Sequence, residues 1–327
     1  MANLLTPSVL TLYAELLQQL ETSPEAGSVY RRTTEHGEYI YAKVPVGAAR
    51  IDRFIGKAGD PQAEAKALSL QQGVALASER RSLIAMLRKA RLATPDRSMG
   101  TILDTLSQAG LFQAGAVLVG TAAFLISEPL VGRRLPSPTL MTGDVDVAAA
   151  SLALASTPPE RFEEILHRAD PTFTGIPQLD PQAPSSRYRS ASGYLVDVLT
   201  PVRTRDDVNP VALRGLAAGA APLPHLAWLI QDAVPAAALW GSGVLVRIPQ
   251  PARFAVHKLI LAQRRDPANR IKRTKDLAQA KALIDALLHH DRYALEDALA
   301  DARAQGRKGW AEPISRSLVE ADIRLDE

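Results

Sequence analysis

The chain has no cysteine, which excludes disulfide frameworks, thiolate zinc sites, iron–sulfur clusters and cysteine nucleophiles. Histidine is scarce, at six residues, so little is left for base or metal chemistry on imidazole. Aromatic residues make up only 5%. No apolar run reaches the roughly 18 residues that a spanning helix needs, and no membrane partner is expected. Charge of one sign does not dominate either. Thirty-eight basic against thirty-five acidic residues leave a formal +3, too little to declare a polyanion-binding protein, although a local patch still matters. A Walker A loop, a Gly-x-Ser-x-Gly elbow and a dinucleotide fingerprint are all missing. The first residues show no basic leader, and Glu15 and Glu21 interrupt their apolar positions. No targeting segment is expected there, and a cytoplasmic protein is the simplest expectation.

What is present is ordinary globular composition, 46% hydrophobic and 22% charged over 327 residues, for which length alone suggests two domains. The pattern divides the chain into three stretches: a helix and β-hairpin extension over 1–95, a catalytic core over 96–210 and a mainly helical domain over 211–327. In the first, Val9, Leu10, Tyr13, Leu16, Leu17 and Leu20 follow helical spacing. Residues 28–30 and 38–44 read as strands around a turn at Glu35-His36-Gly37, with a further strand over 50–55. Residues 61–91 suit one or two helices. In the second stretch the expectation is a helix over 98–109, a short strand over 116–119 ending at Gly120, and a helix over 121–126. A loop over 133–142, a strand over 144–148 and a helix over 159–169 with Pro159 in its first turn follow. Two antiparallel strands then occupy 186–190 and 194–199. The third stretch reads as a helix over 224–233, a strand over 244–248, and helices over 251–265, 274–289, 293–305 and 310–322. Strands and helices mix without strict β-α-β repetition, so the fold class is α+β, with mixed α/β character in the core.

Chemistry concentrates in Gly120-Thr121 and in Asp144-Val145-Asp146. In a strand, residues two apart share a face and lie about 6–7 Å apart along the backbone. Asp144 and Asp146 therefore aim together, and two like charges repel unless they share a cation or a proton. A hard divalent ion such as Mg²⁺ prefers such carboxylate oxygens. Asp197 sits in Tyr194-Leu195-Val196-Asp197-Val198-Leu199-Thr200, a run that otherwise asks to be buried. A lone carboxylate there needs a partner. Arg187, Arg189 or Arg203 is one answer; a metal shared with Asp144 and Asp146 is the other. Gly120 allows close backbone approach at a strand-to-helix turn, where free N–H groups attract phosphate.

Together these residues resemble the nucleotidyltransferase superfamily with the DNA polymerase β-like fold, in particular a prokaryotic subfamily. Gly120-Thr121 matches its first element, Asp144-Val145-Asp146 its second and Asp197 its third. The segments Leu130-Val131-Gly132, Val246-Arg247-Ile248-Pro249 and Pro251-Ala252-Arg253-Phe254 are similar to that group as well. The resemblance covers roughly residues 95–285. It implies transfer of a nucleoside monophosphate from an NTP to an acceptor hydroxyl, with two Mg²⁺ ions. Asp144 and Asp146 would touch both ions and Asp197 the one that activates the acceptor. Gly120 and Thr121 would cradle the β- and γ-phosphates, and Lys258 would clamp the triphosphate. Thr121 stands where Ser is commoner, and the longer spacing from Gly120 to Asp144 places a loop carrying Arg133 and Arg134 beside the site. The acceptor (tRNA, a protein or a small molecule), the choice of NTP and the oligomeric state stay open.

Two rivals remain in view: a catalytically silent NTP- or RNA-binding protein on the same fold, and a nucleic-acid module built on basic runs. The runs are Arg80, Arg81, Arg88, Lys89 and Arg91, and Arg264, Arg265, Arg270, Lys272, Arg273 and Lys275. Each is equally a solvated helix face. His257 reads as a packed helix histidine or a phosphate-orienting one. His289 and His290 are adjacent and cannot share a helix face, and His225 has no ligand spacing.

Overall fold

Asp60 and Pro61 show how directly local chemistry sets the elements. The Asp60 side chain accepts from the Gln62 N–H and Pro61 opens α2 (Pro61–Lys89), a continuous 29-residue helix where the composition allowed one or two. The computed structural model describes all residues except 1–3, 23–25, 47–48, 137–142, 153–159, 179–182, 203–208, 214 and 326–327. Before α2 come α1 (Pro7–Thr22) and an antiparallel meander of β1 (Ser28–Thr34), β2 (Gly37–Val46) and β3 (Ala49–Lys57). The turn between β1 and β2 falls at Glu35-His36. The second half of α2 packs with α1 around Tyr13, Leu16, Ile84 and Leu87.

Asp96 caps α3 (Arg97–Gln108) through the Met99 N–H. The chain then builds the central sheet from β4 (Val117–Val119), β5 (Asp144–Ala148), β6 (Thr174–Gly175), β7 (Arg187–Arg189), β8 (Leu195–Pro201), β9 (Val211–Ala212) and β10 (Gly219–Leu223). Its order is β4-β5-β8-β10-β9, with β7 also on β8 and β6 on β7. Strands β5 and β8 run parallel, as do β8 and β10, which makes the sheet mixed. Helix α4 (Gly120–Ile126) follows β4 directly, and α5 (Phe162–His167) lies between β5 and β6. That helix starts later than the 159–169 expectation; residue 159 lies outside the described residues.

The helix anticipated over 224–233 is confined to α6 (Leu226–Ile230). Beyond the expected helix lies β11 (Val234–Ala238), a strand not anticipated from the sequence, antiparallel to β12 (Val244–Ile248). The buried Tyr13 hydroxyl accepts from the Ala237 N–H, so burial and pairing override the weak strand propensity of three alanines. Four helices close the chain: α7 (Pro251–Arg264), α8 (Arg270–His290), α9 (Arg292–Ala304) and α10 (Glu312–Glu320). One apolar core runs from Met99 to Ile323, filled by Phe112, Phe124, Phe162 and Phe173 among others. It joins the sheet to the C-terminal helices. No helix among the described residues is long and apolar enough to cross a membrane.

Candidate active site

Register brings the acids together. Alternation buries Val145 and Val147 on one face of β5 and leaves Asp144 and Asp146 on the other. Strand β8 alternates likewise, with Val196 and Val198 buried and Asp197 on the opposite face. Because β5 and β8 are parallel with Asp146 directly opposite Asp197 and Asp144 opposite Leu195, all three carboxylates share one face. Adjacent strands lie only about 4.8 Å apart, so Asp146 has a carboxylate beside it and another two residues away. Burial, then Asp144, then Asp197 push the Asp146 carboxyl up to about 7, against smaller opposing pulls from Lys258 and Arg187.

Gly120 meets this carboxylate from the other side. Val119 pairs with Asp146 across β4 and β5, and Gly120 follows with a φ of +68°, a left-handed conformation that favours glycine. A Cβ at position 120 would collide with Asp146 Oδ2. The close approach anticipated at this glycine is therefore made first of all to Asp146. Thr121, next in the turn, is buried.

Asp197 has the partner that burial requires, and it is Arg187. Strand β7 is antiparallel to β8 with Arg187 opposite Asp197. The guanidinium donates twice, Nε to Oδ1 at 2.6 Å and Nη2 to Oδ2 at 2.5 Å, the bidentate geometry that Arg suits best. Among the described residues no three carboxylate or imidazole side chains gather to hold one ion.

Two helices bring positive charge to the acids. Lys258 on α7 is buried and its Nζ donates to Asp276 Oδ1 on α8 at 2.8 Å, while Arg265 Nε donates to Oδ2 of the same carboxylate at 2.9 Å. Lys258 Nζ also lies 5.3 Å from the centre of the Phe254 ring. Lys275, half-buried and next to Asp276 on α8, lies in the field of both Asp144 and Asp146, though burial still lowers its pKa overall. His257 is partly buried on α7 and stays neutral, its pKa lowered to about 3 by burial and then by Lys258, which supports the packed-histidine reading.

Arg133 and Arg134, expected beside the site, donate to the carbonyls of Asp285 and Ala90; residues 137–142 of that loop lie outside the described residues. Arg80 is buried and donates to the Ser242 carbonyl, so the first basic run is partly internal. Sequence reasoning missed Asp276 as the hub of the Lys258 and Arg265 pairs. Its position at the end of a basic run was the available signal, since an acid set against so many cations asks which of them it pairs with.

A family model described as nucleotidyltransferase matches residues 97–304. The chain belongs to this nucleotidyltransferase family. No curated protein and no solved structure matches the chain. The matched span contains Gly120, Thr121, Asp144, Asp146, Asp197 and Lys258, as well as Arg187, Lys275 and Asp276. One surface concavity of this nucleotidyltransferase, a cleft of about 640 Å³ between Gly115, Ala150, Pro201, Trp228 and Trp310, lies at the other end of β5 and β8. A smaller one of about 320 Å³ reaches the acid end through Tyr194, with Ser98, Thr101, Asp170 and Ser190 around it. Burial, then Asp96, then Asp144 raise the pKa of Tyr194. The acids line neither concavity, so geometry and electrostatics, not cavity size, single them out as the candidate site.

Proposed function

We propose that this nucleotidyltransferase is a divalent-cation-dependent enzyme that moves a nucleoside monophosphate from an NTP to an acceptor hydroxyl. The acceptor oxygen bonds to the α-phosphorus, the bond from that phosphorus to the α–β bridging oxygen breaks, pyrophosphate leaves and the hydroxyl loses its proton. The observation that carries this reading is Asp146, pressed between Asp144 and Asp197 and raised to about 7. A pair of oxygen-only, like-charged ligands that resist ionising together fits a hard cation. Asp144 and Asp146 would hold Mg²⁺, which when bound neutralises phosphate charge and lowers the pKa of a bound hydroxyl. Asp197 is assigned to the acceptor side. Arg187 neutralises it in the metal-free chain, so the second of the two expected ions depends on Arg187 releasing it.

Gly120 and Thr121 are assigned to the β- and γ-phosphates because their turn abuts Asp146. Lys258, locked to Asp276, serves as a fixed charge beside Asp146, and the less buried Lys275 is the cation placed to meet phosphate oxygens. Holding charge where it develops supplies most of the rate in phosphoryl chemistry. The test is incubation with cell extract and each NTP labelled at the α-phosphate. Wild type should label an acceptor and release pyrophosphate, and folded Asp144→Asn and Asp146→Asn should do neither. NTP binding without pyrophosphate release from any NTP would replace this reading with the catalytically silent one.

A further inference from the structure

The meander ahead of α2 has two unlike faces. Its inner face packs Val29, Ile40, Ala42 and Val44 on Ala63, Ala67 and Leu70 of α2. Charges on that side are matched within the protein, for Arg31 pairs with both Glu38 and Glu64. The register places Tyr30 opposite Tyr41, Arg32 opposite Tyr39, Tyr41 opposite Phe54 and Lys43 opposite Asp52. Directly paired residues share a face, so Tyr30, Tyr39, Tyr41 and Phe54 stand together on the outer side, away from α2. Four aromatic rings on one small sheet are a concentration in a chain with only 5% aromatics.

The rings form a contiguous surface, with centroids 5.7 Å apart for Tyr30 and Tyr41, 5.4 Å for Tyr41 and Phe54, and 6.0 Å for Tyr39 and Phe54. Phe54 is 57% exposed. Around them Arg32, Lys43, Arg50 and Lys57 are exposed cations, and register puts them on the same outer face, with Asp52 as the acid among them. Cross-strand stabilisation alone accounts for aromatic pairs. It does not account for four exposed cations around an aromatic surface whose Phe54 is open to solvent and whose three tyrosines are partly so.

We propose that this outer face binds single-stranded nucleic acid, with bases stacking on Tyr30, Tyr41 and Phe54 and phosphates meeting Arg32, Lys43, Arg50 and Lys57. Partly exposed rings offer edges and faces to any base, Phe54 most openly, and surrounding cations follow the backbone. Three strands give a platform about 10 Å wide, room for about two or three bases. A protein partner is disfavoured by the charge, since large apolar contact with a protein does not call for four cations at its rim. Binding stands apart from the acids. Its assignment as the acceptor rests on the transfer proposed above, and gives that acceptor a class: a polynucleotide carrying the attacking hydroxyl.

The experiment is fluorescence anisotropy with labelled oligouridylate, oligothymidylate and a duplex RNA of equal charge, over a range of salt. Single strands should bind, with a log–log salt slope of about −2 to −3 if the cations contact phosphates. Phe54→Ala, which removes an exposed ring and should leave melting unchanged, should weaken binding about five- to a hundredfold. Lys43→Glu should weaken it and flatten the salt slope. Asp146→Asn should bind as wild type does, so lost catalysis and lost binding are read separately. Tighter binding of the ribo- than the deoxy-strand identifies RNA as the source of the bases, and equal binding identifies either strand. Duplex or heparin binding as tight as the single strand, with no effect of Phe54→Ala, overturns the proposal, as does no binding at low salt.

Discussion

Asp146→Asn should make the metal-free protein more stable at alkaline pH while abolishing its activity. In the fold, Asp146 titrates near 7, against 3.8 for an ordinary aspartate. A carboxyl whose pKa is raised on folding contributes stability fully when protonated, below the unfolded value. That contribution declines as pH rises and is gone above the folded value. Three pH units at about 1.4 kcal/mol each put the ceiling near 4 kcal/mol at pH 8. Asparagine is nearly isosteric and never ionises, so it escapes this cost, less what is lost in attraction to Lys258 and Arg187. At about 2.1 cal/mol/K per residue, 1 kcal/mol shifts the melting temperature of a chain this long by roughly 1.5 °C. The variant should therefore melt roughly 3–6 °C above wild type at pH 8 and level with it near pH 4. Differential scanning calorimetry in EDTA from pH 4 to pH 8 measures the gap. Adding Mg²⁺ should raise the wild-type melting temperature at pH 8 and leave the variant where it was. A gap that stays flat across this range, or a variant that melts lower at pH 8, refutes the electrostatic account of Asp146.

Gly120→Ala forces a side chain into a left-handed backbone and onto the Asp146 carboxylate, so it should cost about 1–3 kcal/mol in urea denaturation and weaken NTP affinity in calorimetric titration. Asp276→Ala strands Lys258 and Arg265 and should cost about 3–5 kcal/mol. Lys258→Met leaves Asp276 its Arg265 partner and should cost less; the reverse order of the two urea midpoints would show Lys258 to be the member on which the cluster depends. Asp197→Asn should keep NTP affinity while kcat falls steeply, the pattern of a contact made mainly in the transition state, and normal turnover would return Asp197 to a purely structural pair with Arg187.

The acidic strand was readable because period-two alternation around Asp144 and Asp146 is a local property of five residues. Asp197 was readable only as an acid in a run that asks to be buried and therefore as one that needs a partner. Which strand lies beside which was not readable, because the parallel pairing of β5 with β8 joins residues about fifty positions apart and leaves no local trace. Hence Arg187, Arg189 and Arg203 could all be offered to Asp197, and only the antiparallel register of β7 selects Arg187. Lys258 was readable as a helix lysine near the site, but its pairing with Asp276 depends on how α7 and α8 pack. The strand Val234–Ala238 left no trace in the sequence for the same reason: alanine carries little strand preference, and the pairing with β12 that decides the matter is a tertiary event.

Helix α2 belongs to two cores at once. Its first half, through Ala63, Ala67 and Leu70, seals the meander, and its second half, through Ile84 and Leu87, seals α1 and β11. Between them the helix is interrupted by nothing except Gly73, which is buried but weakens a helix by about 1 kcal/mol relative to alanine. The meander's share of the core is small beside the body that runs from Met99 to Ile323. Its opening free energy is correspondingly lower, and the boundary of that opening falls inside a continuous helix instead of in a linker. Unfolding therefore begins as a fraying of α2 from Asp60 towards Gly73, and amide protons before Gly73 exchange ahead of those around Ile84. The acids on β5 and β8 should remain folded throughout this first stage, so thermal loss of helix signal should precede loss of the acidic face.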